Sequence, residues 1–292
     1  MDRPVVTVVV PVRNGMRRID ELLGALAAQE LDAPYEVIVV DDASTDDTAD
    51  RVARRDGVRL LRMQRQSGSY AARNRGVQAA RGPVLAFTDA DCVPTPSWLA
   101  RGLDALARGA DIVGGHVEIP LPERPSVAAL VDRLQFLDQE RYVAAGFAAT
   151  ANLFVPRALV ARIGGFNDRL GSGGDMEFGL RAGAAGATIA YAADVVVMHE
   201  SRDTVPALVR KAFRIGRGMA SHRRVGRGPI RDRPPLALDV RSYLPQRKVV
   251  NWQRLEPFRL TRRRRALVML VEYAAVQFPR ALGALVGTLR DG

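Results

Sequence analysis

Two acidic residues, Asp89 and Asp91, follow a short apolar run at Val84–Phe87. Such a run is typical of a strand buried on both faces, and residues two positions apart on an extended chain project to the same side. Two carboxylates at the end of a strand can bind a hard divalent cation and leave coordination positions for phosphate oxygens and water. Taken alone, the pair also fits an ordinary strand-ending turn, where Asp is common.

Strand and helix patterns alternate through the first 120 residues. The predicted strands lie at 5–10, 35–40, 58–63, 84–87 and 112–119, and the predicted helices at 19–29, 44–55, 69–80 and 98–107. This alternation predicts an α/β fold with a doubly wound, mostly parallel sheet and helices on both faces. Ligands bind beyond the carboxyl ends of such strands. We therefore expect Pro11–Asn14, Asp41–Asp42 and Asp89–Asp91 to converge on one edge.

The alternation loosens after residue 125. We predict a helix at 126–142, an extended segment at 148–155, strands at 188–191 and 195–198, and a basic helix at 204–216. A glycine-rich loop, Gly171–Gly174, leads into a helix through Ala185 with Asp175 and Glu177 in its first turn. The second late strand ends at His199.

The composition excludes some classes and favours others. The 292 residues contain one cysteine, Cys92, so no intrachain disulfide can form, and we expect Cys92 to be a small buried residue. The run Val5–Val10 is too short for a signal peptide and fits a strand better. The net charge of +11 concentrates after Arg202 and favours a polyanionic partner: nucleic acid, an anionic membrane or a phosphate-bearing substrate.

Seven segments occur in an order that resembles the family 2 glycosyltransferases with the GT-A fold. They are VVVPVRNG (8–15), VVDDASTDDT (39–48), ARNRG (72–76), FTDAD (87–91), IGGFND (163–168), GGDMEFGLR (173–181) and the histidine of VVMHES (196–201). The resemblance implies a nucleotide-diphosphate sugar donor, usually a UDP sugar, and inversion at the anomeric carbon. It also implies Mn²⁺ or Mg²⁺ as the cofactor.

The same resemblance assigns roles to residues of this sequence. The implied donor-binding residues are Pro11, Arg13, Asp41, Asp42, Arg73, Asn74 and Asp89, the metal ligands are Asp91 and His199, and the catalytic base is Asp175. A carboxylate can accept the imide N–H of uracil, which suits Asp41, and a sugar hydroxyl needs a base to take its proton.

Several of these residues also have structural interpretations. Asp42 and Ser44 suit turn and cap chemistry, and Glu177 suits the first turn of a helix, where the helix dipole favours an acid. Arg181 is expected to position that helix or to pair with its acids. His116 and His222 are expected to be structural.

The acceptor region lacks the Q-x-x-R-W element of the processive synthases of this family, and Lys211–Gly216 is the nearest stretch. This difference favours transfer of a single sugar to a hydroxyl acceptor, such as a glycan or a lipid-linked glycan. The alternative within transferases is a polyprenyl-phosphate sugar synthase. A non-catalytic nucleic-acid-binding protein is the alternative from another class. We expect no nucleic-acid partner, because few aromatic residues accompany the arginines.

The predicted domains are a catalytic domain at 1–220 and a C-terminal extension at 221–292, which begins with a basic linker at 223–235. Four arginines, Arg262–Arg265, precede an amphipathic helix at 266–289. On a continuous helix its apolar side carries Leu267, Leu270, Val271, Ala274, Phe278, Leu282, Leu285 and Leu289, and the opposite side carries Arg265, Glu272, Gln277 and Arg280. We expect this helix to bind the anionic surface of a membrane, on the cytoplasmic side of that membrane. The alternatives are packing on the catalytic domain or in a dimer interface.

Overall fold

The computed structural model describes residues 3–229, 243–245 and 251–291. Within these residues one sheet contains eight strands. They are β1 Val6–Val12, β2 Tyr35–Asp41, β3 Val58–Arg62, β4 Val84–Thr88, β5 Cys92–Pro94, β6 Ile112–Glu118, β7 Asn152–Pro156 and β8 Ile189–His199. The β-branched and apolar residues of β1, β2 and β4 are buried except for half-buried Tyr35 and Val84 at the strand starts, as continuous apolar runs predict for a central parallel sheet.

The strand order is β3-β2-β1-β4-β7-β6-β8-β5. The first four of these strands are parallel, β7 runs antiparallel to both of its neighbours, β8 is parallel to β6, and β5 is antiparallel to β8. The mostly parallel α/β sheet is therefore confirmed. The carboxyl ends of β1, β2, β4, β6 and β8 lie at one edge, and the amino ends of β5 and β7 reach the same edge.

Helices connect the strands and continue to the end of the described chain. They are α1 Ile19–Ala27, α2 Thr48–Ala53, α3 Ser69–Ala79, α4 Trp98–Ala107, α5 Val127–Gln135, α6 Gln139–Ala144, α7 Arg157–Ile163, α8 Gly174–Ala184, α9 Val205–Ala220, α10 His222–Val225, α11 Arg262–Glu272 and α12 Phe278–Asp291. A 3₁₀ helix spans Trp252–Phe258, and a π-helical turn spans Tyr273–Gln277. None of the helices in this part of the chain has the length and hydropathy of a membrane-spanning segment.

Two elements differ from the expected ones for local reasons. The helix expected at 126–142 is two helices, because Phe136 is extended and Leu137 has a left-handed φ of 55°. The two strands expected between residues 188 and 198 form one strand, β8, with an irregularity opposite Gly115 and His116. The amide of Asn152 donates at 2.8 Å to the carbonyls of His116 and Val195, which stabilises the irregular backbone.

The chain divides into two compact units that interleave along the sequence. Unit 1 comprises Met1–Glu118, Gln139–Asp168 and Gly174–His199, and it contains the whole sheet. Unit 2 comprises Ile119–Asp138, Arg169–Gly173 and Glu200–Gly292, and its apolar core is built from α5, α9 and the C-terminal helices. The division differs from the boundary expected at residue 220, since α9 belongs to unit 2. The linker expected at 223–235 begins inside α10, and its residues from 230 onward lie outside the described part of the chain.

In unit 2 the helices α9 and α12 pack backbone against backbone. A Cβ atom at Gly216 would collide with the carbonyl of Arg280, and one at Gly283 would collide with the carbonyl of Phe213. A Cβ at Gly287 would lie 2.7 Å from that of Ala220. Glycine is therefore required along this crossing, because any larger residue would push the two helices apart.

Candidate active site

Asp41 ends β2 at the carboxyl edge of the sheet, and its side chain is only 3% exposed. Its Oδ2 accepts a hydrogen bond from the backbone N–H of Ser44 at 3.2 Å. Its Oδ1 is buried and has no hydrogen-bond partner among the described residues. A buried carboxylate oxygen without a partner is unusual in a folded protein and indicates a place where a ligand can donate a hydrogen bond.

Asp42, the next residue, has both of its carboxylate oxygens in use. They accept hydrogen bonds from the backbone N–H groups of Ser67 at 2.7 Å and Gly68 at 2.8 Å. These bonds fasten the loop that precedes α3 to the end of β2. The structural interpretation of Asp42 therefore has direct support from the geometry, while a contact with a donor stays a prediction.

The loop after β1 lies beside the loop after β2. Pro11 is buried in β1, and Arg13 is exposed just beyond the strand. Asn14 takes a left-handed φ of 52°, and its Oδ1 accepts from the backbone N–H of Thr45 at 2.9 Å. Its own N–H donates to the hydroxyl of Ser44 at 2.9 Å. These bonds hold Pro11, Arg13 and Asp41 at one corner of the sheet edge.

Arg73, in α3, is a buried cation that pairs with Asp89. Its Nη2 donates to Asp89 Oδ1 at 2.5 Å, and its guanidinium lies 5.6 Å from the centre of the Tyr70 ring. Burial acts to lower the pKa of Arg73, but the carboxylates of Asp89 and Asp175 more than offset this effect, and the pKa is raised. Its Nε is buried without a hydrogen-bond partner among the described residues, so this N–H could donate to a ligand.

Asn74, the neighbour of Arg73, bonds to backbone rather than pointing to an open site. Its Nδ2 donates to the carbonyl of Phe166 at 2.8 Å, and its Oδ1 accepts from the N–H of Phe166 at 2.9 Å. These two bonds fix α3 to the turn that follows α7, where Gly164 and Gly165 have positive φ. A contact between Asn74 and ribose or phosphate stays a prediction.

Asp91 and His199 lie together at the far side of the same edge. His199 ends β8 and is paired in register with Cys92, the residue after Asp91. The Nε2 of buried His199 is 3.4 Å from Oδ2 of Asp91, whose side chain is 49% exposed. Cys92 is fully buried, as expected, and burial raises the pKa of its thiol.

The donor set of Asp91 and His199 fits a divalent cation. Two ligands with bonds of about 2.1 Å at a right angle lie about 3 Å apart, close to the separation of these two atoms. No group of three potential ligands occurs in the described part of the chain. At Asp91 and His199, oxygen atoms of a bound substrate and water could occupy the remaining coordination positions of such an ion.

Asp175 is the second residue of α8, at the start of the helix. Its Oδ1 accepts from the hydroxyl of Thr150 at 3.0 Å, and the N–H of Gly174 donates to the hydroxyl of Tyr70 at 2.9 Å. Burial raises the pKa of Asp175, the Arg73 cation lowers it, the Asp89 carboxylate raises it, and the net shift is upward. A partly buried carboxylate with a raised pKa has the chemistry of a general base.

Four residues with structural interpretations make contacts that support those interpretations. Buried Glu177 pairs with Arg181 at 2.8 Å, and Arg181 also donates to the carbonyls of Ile163 and Gly165, so this pair holds α8 to the preceding turn. The ring of His116 lies 2.9 Å from the hydroxyl of Tyr191, and His222 lies 3.1 Å from the carbonyl of Ser172.

Sequence reasoning missed two residues of this site. Thr150 contacts the carboxylate of Asp175, and Tyr70 links α3 to the start of α8. Thr150 precedes a strand and carries no motif, so only the pairing of β7 with β4 brings it to this edge. Tyr70 follows Ser69 one turn before Arg73, but nothing in its spacing indicates a contact about a hundred residues away.

Comparison with known proteins gives a consistent picture. The model of the family described as Glycosyl transferase family 2 matches residues 7–139, and that of Glycosyl transferase family group 2 matches residues 84–286. The glycosyltransferase AglE of Haloferax volcanii is 37% identical over 223 residues, covering 74% of this chain and 73% of that protein. Other curated relatives are matched over only about half of their own length.

Two solved structures share the fold. One is the mannosyltransferase PcManGT from Pyrobaculum calidifontis in complex with GDP-Man and Mn²⁺, with a TM-score of 0.64 and 22% identity, covering all of this chain and 88% of that chain. The other is TarS 1–349 of S. aureus in complex with UDP-GlcNAc, with a TM-score of 0.54 and 20% identity, covering 98% and 92% of the two chains. The sheet with its helices is therefore a GT-A fold.

Proposed function

This chain belongs to the family 2 glycosyltransferases, and we propose that it transfers one sugar from a nucleotide-diphosphate sugar to a hydroxyl group with inversion at the anomeric carbon. The observation that carries the proposal is the set of polar groups along one sheet edge. Asp41 and Arg73 each keep a buried polar atom without a partner there, and both lie in unit 1 with Asp175. Desolvated donors and acceptors that await a ligand are characteristic of a binding site.

The donor occupies the edge between the ends of β1 and β4 in this proposal. Asp41 Oδ1 accepts the imide N–H of the base, next to Pro11 and Arg13. Asp89 contacts the ribose, and Arg73 reaches ribose or phosphate through its remaining N–H groups. Asp42 and Asn74 contribute by holding α3, which carries Arg73, to the end of β2 and to the turn after α7, as their backbone hydrogen bonds support.

Asp91 and His199 would hold Mn²⁺ or Mg²⁺. When bound, such an ion supplies positive charge that stabilises the departing diphosphate. The Mn²⁺ and GDP-Man held by PcManGT are consistent with this role in the same fold. The UDP-GlcNAc bound to TarS is in turn consistent with a UDP sugar as the donor.

Asp175 acts as the base in a direct displacement. The hydroxyl oxygen of the acceptor attacks the anomeric carbon, the bond from that carbon to the diphosphate oxygen breaks, and the hydroxyl proton passes to the Asp175 carboxylate. The hydrogen bond from the Thr150 hydroxyl holds the carboxylate at Oδ1 and favours its ionised form, which is the form that accepts the proton. The presence of a base supports a hydroxyl acceptor, whose proton must be removed. A lipid phosphate is already ionised and would not need a base.

The acceptor is a glycan or a lipid-linked glycan of the cell envelope in this proposal. The positive charge of the chain concentrates after Arg202 and would attract phosphate-bearing lipids, which supports an acceptor at a membrane surface. We place the protein on the cytoplasmic face of the membrane, held peripherally.

A donor screen tests the proposal. UDP-, GDP- and dTDP-sugars are added to the protein with and without Mn²⁺, and the melting temperature is measured, since a ligand of the folded state raises it. We expect one nucleotide class to raise the melting temperature and the Asp41→Asn variant to lose most of that rise. The matched control, Asp104→Asn, changes an exposed aspartate of α4 and should respond as the wild type does.

The product of a transfer assay then gives the stereochemistry by NMR. An inverted glycoside supports the proposal, and a retained configuration contradicts it. Failure of every nucleotide sugar to raise the melting temperature would contradict the donor assignment.

A further inference from the structure

The two C-terminal helices expose apolar residues that a soluble helix normally turns inward. The exposed large side chains of α11 and α12 are Leu267, Leu270, Phe278, Leu282 and Leu289, and we call them the outer stripe. Leu270 is 62% exposed and Leu289 is 73% exposed. An amphipathic helix on a globular protein is expected to bury this side and to expose its polar side.

Part of the polar side of the same helices faces inward. Glu272 is fully buried, and one of its carboxylate oxygens accepts from Gln277 Nε2 at 2.6 Å. The guanidinium of Arg280 lies 5.9 Å from the centre of the Phe136 ring, inside unit 2. Val268, Val276 and Ala284 are buried beside them. The inward side of these helices therefore carries small apolar residues together with Glu272, the large leucines of the outer stripe stay outside, and the glycine contacts with α9 fix this orientation.

The π-helical turn at Tyr273–Gln277 brings the two halves of the stripe into line. The N–H of Phe278 bonds to the carbonyl of Tyr273 five residues earlier, so the turn contains one extra residue. At about 100° per residue, the five exposed residues would cover an arc of about 120° on an uninterrupted helix. The extra residue rotates α12 back by about 100° relative to α11, and the five side chains then lie within an arc of about 80°. The extra residue thus concentrates the apolar side chains on one side.

The charges next to the stripe are positive. Arg259, Arg262 and Arg263 are exposed, and Arg263 falls within the same arc as the leucines. Arg264 and Arg265 instead contact the carbonyl of Pro125 and the ring of Trp252. Between residues 259 and 289 the single acidic residue of the sequence is Glu272, which is buried. The segment 259–289 therefore exposes leucines, phenylalanine and arginines but no acidic residue.

We propose that the outer stripe inserts into the interface of an anionic lipid bilayer, with Arg262 and Arg263 on the lipid phosphates. The apolar side chains gain by leaving water, and the arginines gain from the negative surface potential. A second copy that met this surface with its own outer stripe is a poorer occupant, because it would cover the leucines but place arginines beside arginines. This inference extends the general expectation of a membrane partner to one surface, and it requires no donor and no catalysis.

Vesicle sedimentation with the full-length protein tests the surface. Vesicles of phosphatidylcholine alone are compared with vesicles that contain phosphatidylglycerol, at low and high salt. We expect binding to the anionic vesicles and weaker binding at high salt. The double variant Leu270→Ser and Leu289→Ser should bind about tenfold or more weakly, because two largely exposed side chains no longer gain from insertion. Arg262→Gln and Arg263→Gln together should weaken binding at low salt by about fivefold for each arginine.

The control is Val205→Ser, which removes an apolar side chain that is 44% exposed at the start of α9, outside the stripe. It should bind vesicles as the wild type does. Three results would overturn the inference: no binding to anionic vesicles, equal loss in the Val205 variant, or a wild-type dimer that Leu270→Ser and Leu289→Ser convert to a monomer without a change in vesicle binding. Because sedimentation needs no sugar donor, failure of the proposed function would leave this result unaffected.

Discussion

Replacement of Asp175 by asparagine should lower kcat while leaving donor binding nearly unchanged. The variant keeps an oxygen that can accept the 3.0 Å hydrogen bond from Thr150, so the start of α8 is expected to keep its position. It loses the negative charge that takes the proton of the acceptor hydroxyl in the proposed mechanism. Arg73 loses one neighbouring carboxylate but keeps its ion pair with Asp89, and the donor groups therefore stay in place.

The magnitude follows from the role of a general base. Loss of such a base costs about 10²- to 10⁴-fold in rate, which corresponds to about 3–5 kcal/mol of transition-state stabilisation. We expect kcat to fall within that range and the dissociation constant for the donor to change less than threefold, as an order-of-magnitude estimate from the retained contacts. The assay measures initial rates at saturating donor and acceptor, and calorimetry measures donor affinity.

The pH profile gives an independent readout. Burial raises the pKa of Asp175 above its ordinary value of 3.8, and Arg73, Asp89 and Tyr70 are the charged or titratable groups that face it. The base works only when ionised, so kcat/KM should fall as the pH drops through this raised pKa. Thr150→Val removes a hydrogen bond that favours the ionised form. It should move the acid limb to higher pH while keeping most of kcat on the alkaline side.

The melting temperature of the Asp175→Asn variant distinguishes a catalytic role of Asp175 from a structural one. Because the pKa of Asp175 is raised in the folded state, its contribution to stability is greatest below the ordinary value and is lost as the pH rises through the folded value. The uncharged asparagine of Asp175→Asn avoids the cost of holding a buried negative charge, so the variant should melt at or above the wild-type temperature at neutral pH. Near-normal turnover in a folded Asp175→Asn protein, or an acid limb that Thr150→Val leaves in place, would refute the assignment.

Three further predictions concern other parts of the molecule. Asp91→Ala should abolish the Mn²⁺-dependent part of nucleotide-sugar binding in calorimetry, and unchanged metal dependence in a folded variant would remove Asp91 from the site. Gly283→Ala should lower the free energy of unfolding by about 1–3 kcal/mol because its Cβ would collide with the carbonyl of Phe213, whereas Gly24→Ala, where a Cβ meets nothing within 4 Å, should not. The pKa of Glu272 is raised to about 7 by burial, so its contribution to stability is present below about pH 4.5 and lost as the pH rises through 7. Glu272→Gln should therefore gain melting temperature relative to the wild type between pH 5 and pH 8, and a constant difference would contradict this.

Much of the sheet could be predicted from the sequence, because its signals are local. The apolar runs of β1, β2 and β4 and the helix Trp98–Ala107 follow from periodicity and β-branching alone, and their bounds agree within two residues. The order of polar clusters at strand ends then follows from the parallel arrangement. The antiparallel placement of β7 between β4 and β6 was not predictable, since strand pairing depends on contacts far apart along the chain.

Residue type and spacing determined by themselves which side chains could do chemistry. Asp41, Asp89, Asp91, Asp175 and His199 were singled out before any contact was known, because they stand in segments that resemble the motifs of the family 2 glycosyltransferases and their side chains can bind a metal or accept a proton. Only the tertiary structure decided how each is used. In the structure the oxygens of Asp42 and the amide of Asn74 bond to backbone groups, and Asp41 Oδ1 has no partner among the described residues. Thr150 donates a hydrogen bond to Asp175.

The C-terminal helices show the same division most clearly. The sequence alone determined that an apolar side and a charged side exist, since both follow from helical periodicity. Which side turns inward depends on what the helix packs against, and here the close crossing with α9 and the extra residue of the π-helical turn bury Glu272 and expose Leu270. Helical periodicity in the sequence shows that the two faces of a helix differ in polarity. Which face is buried depends on the elements that pack against it, and these elements come together only when the chain folds.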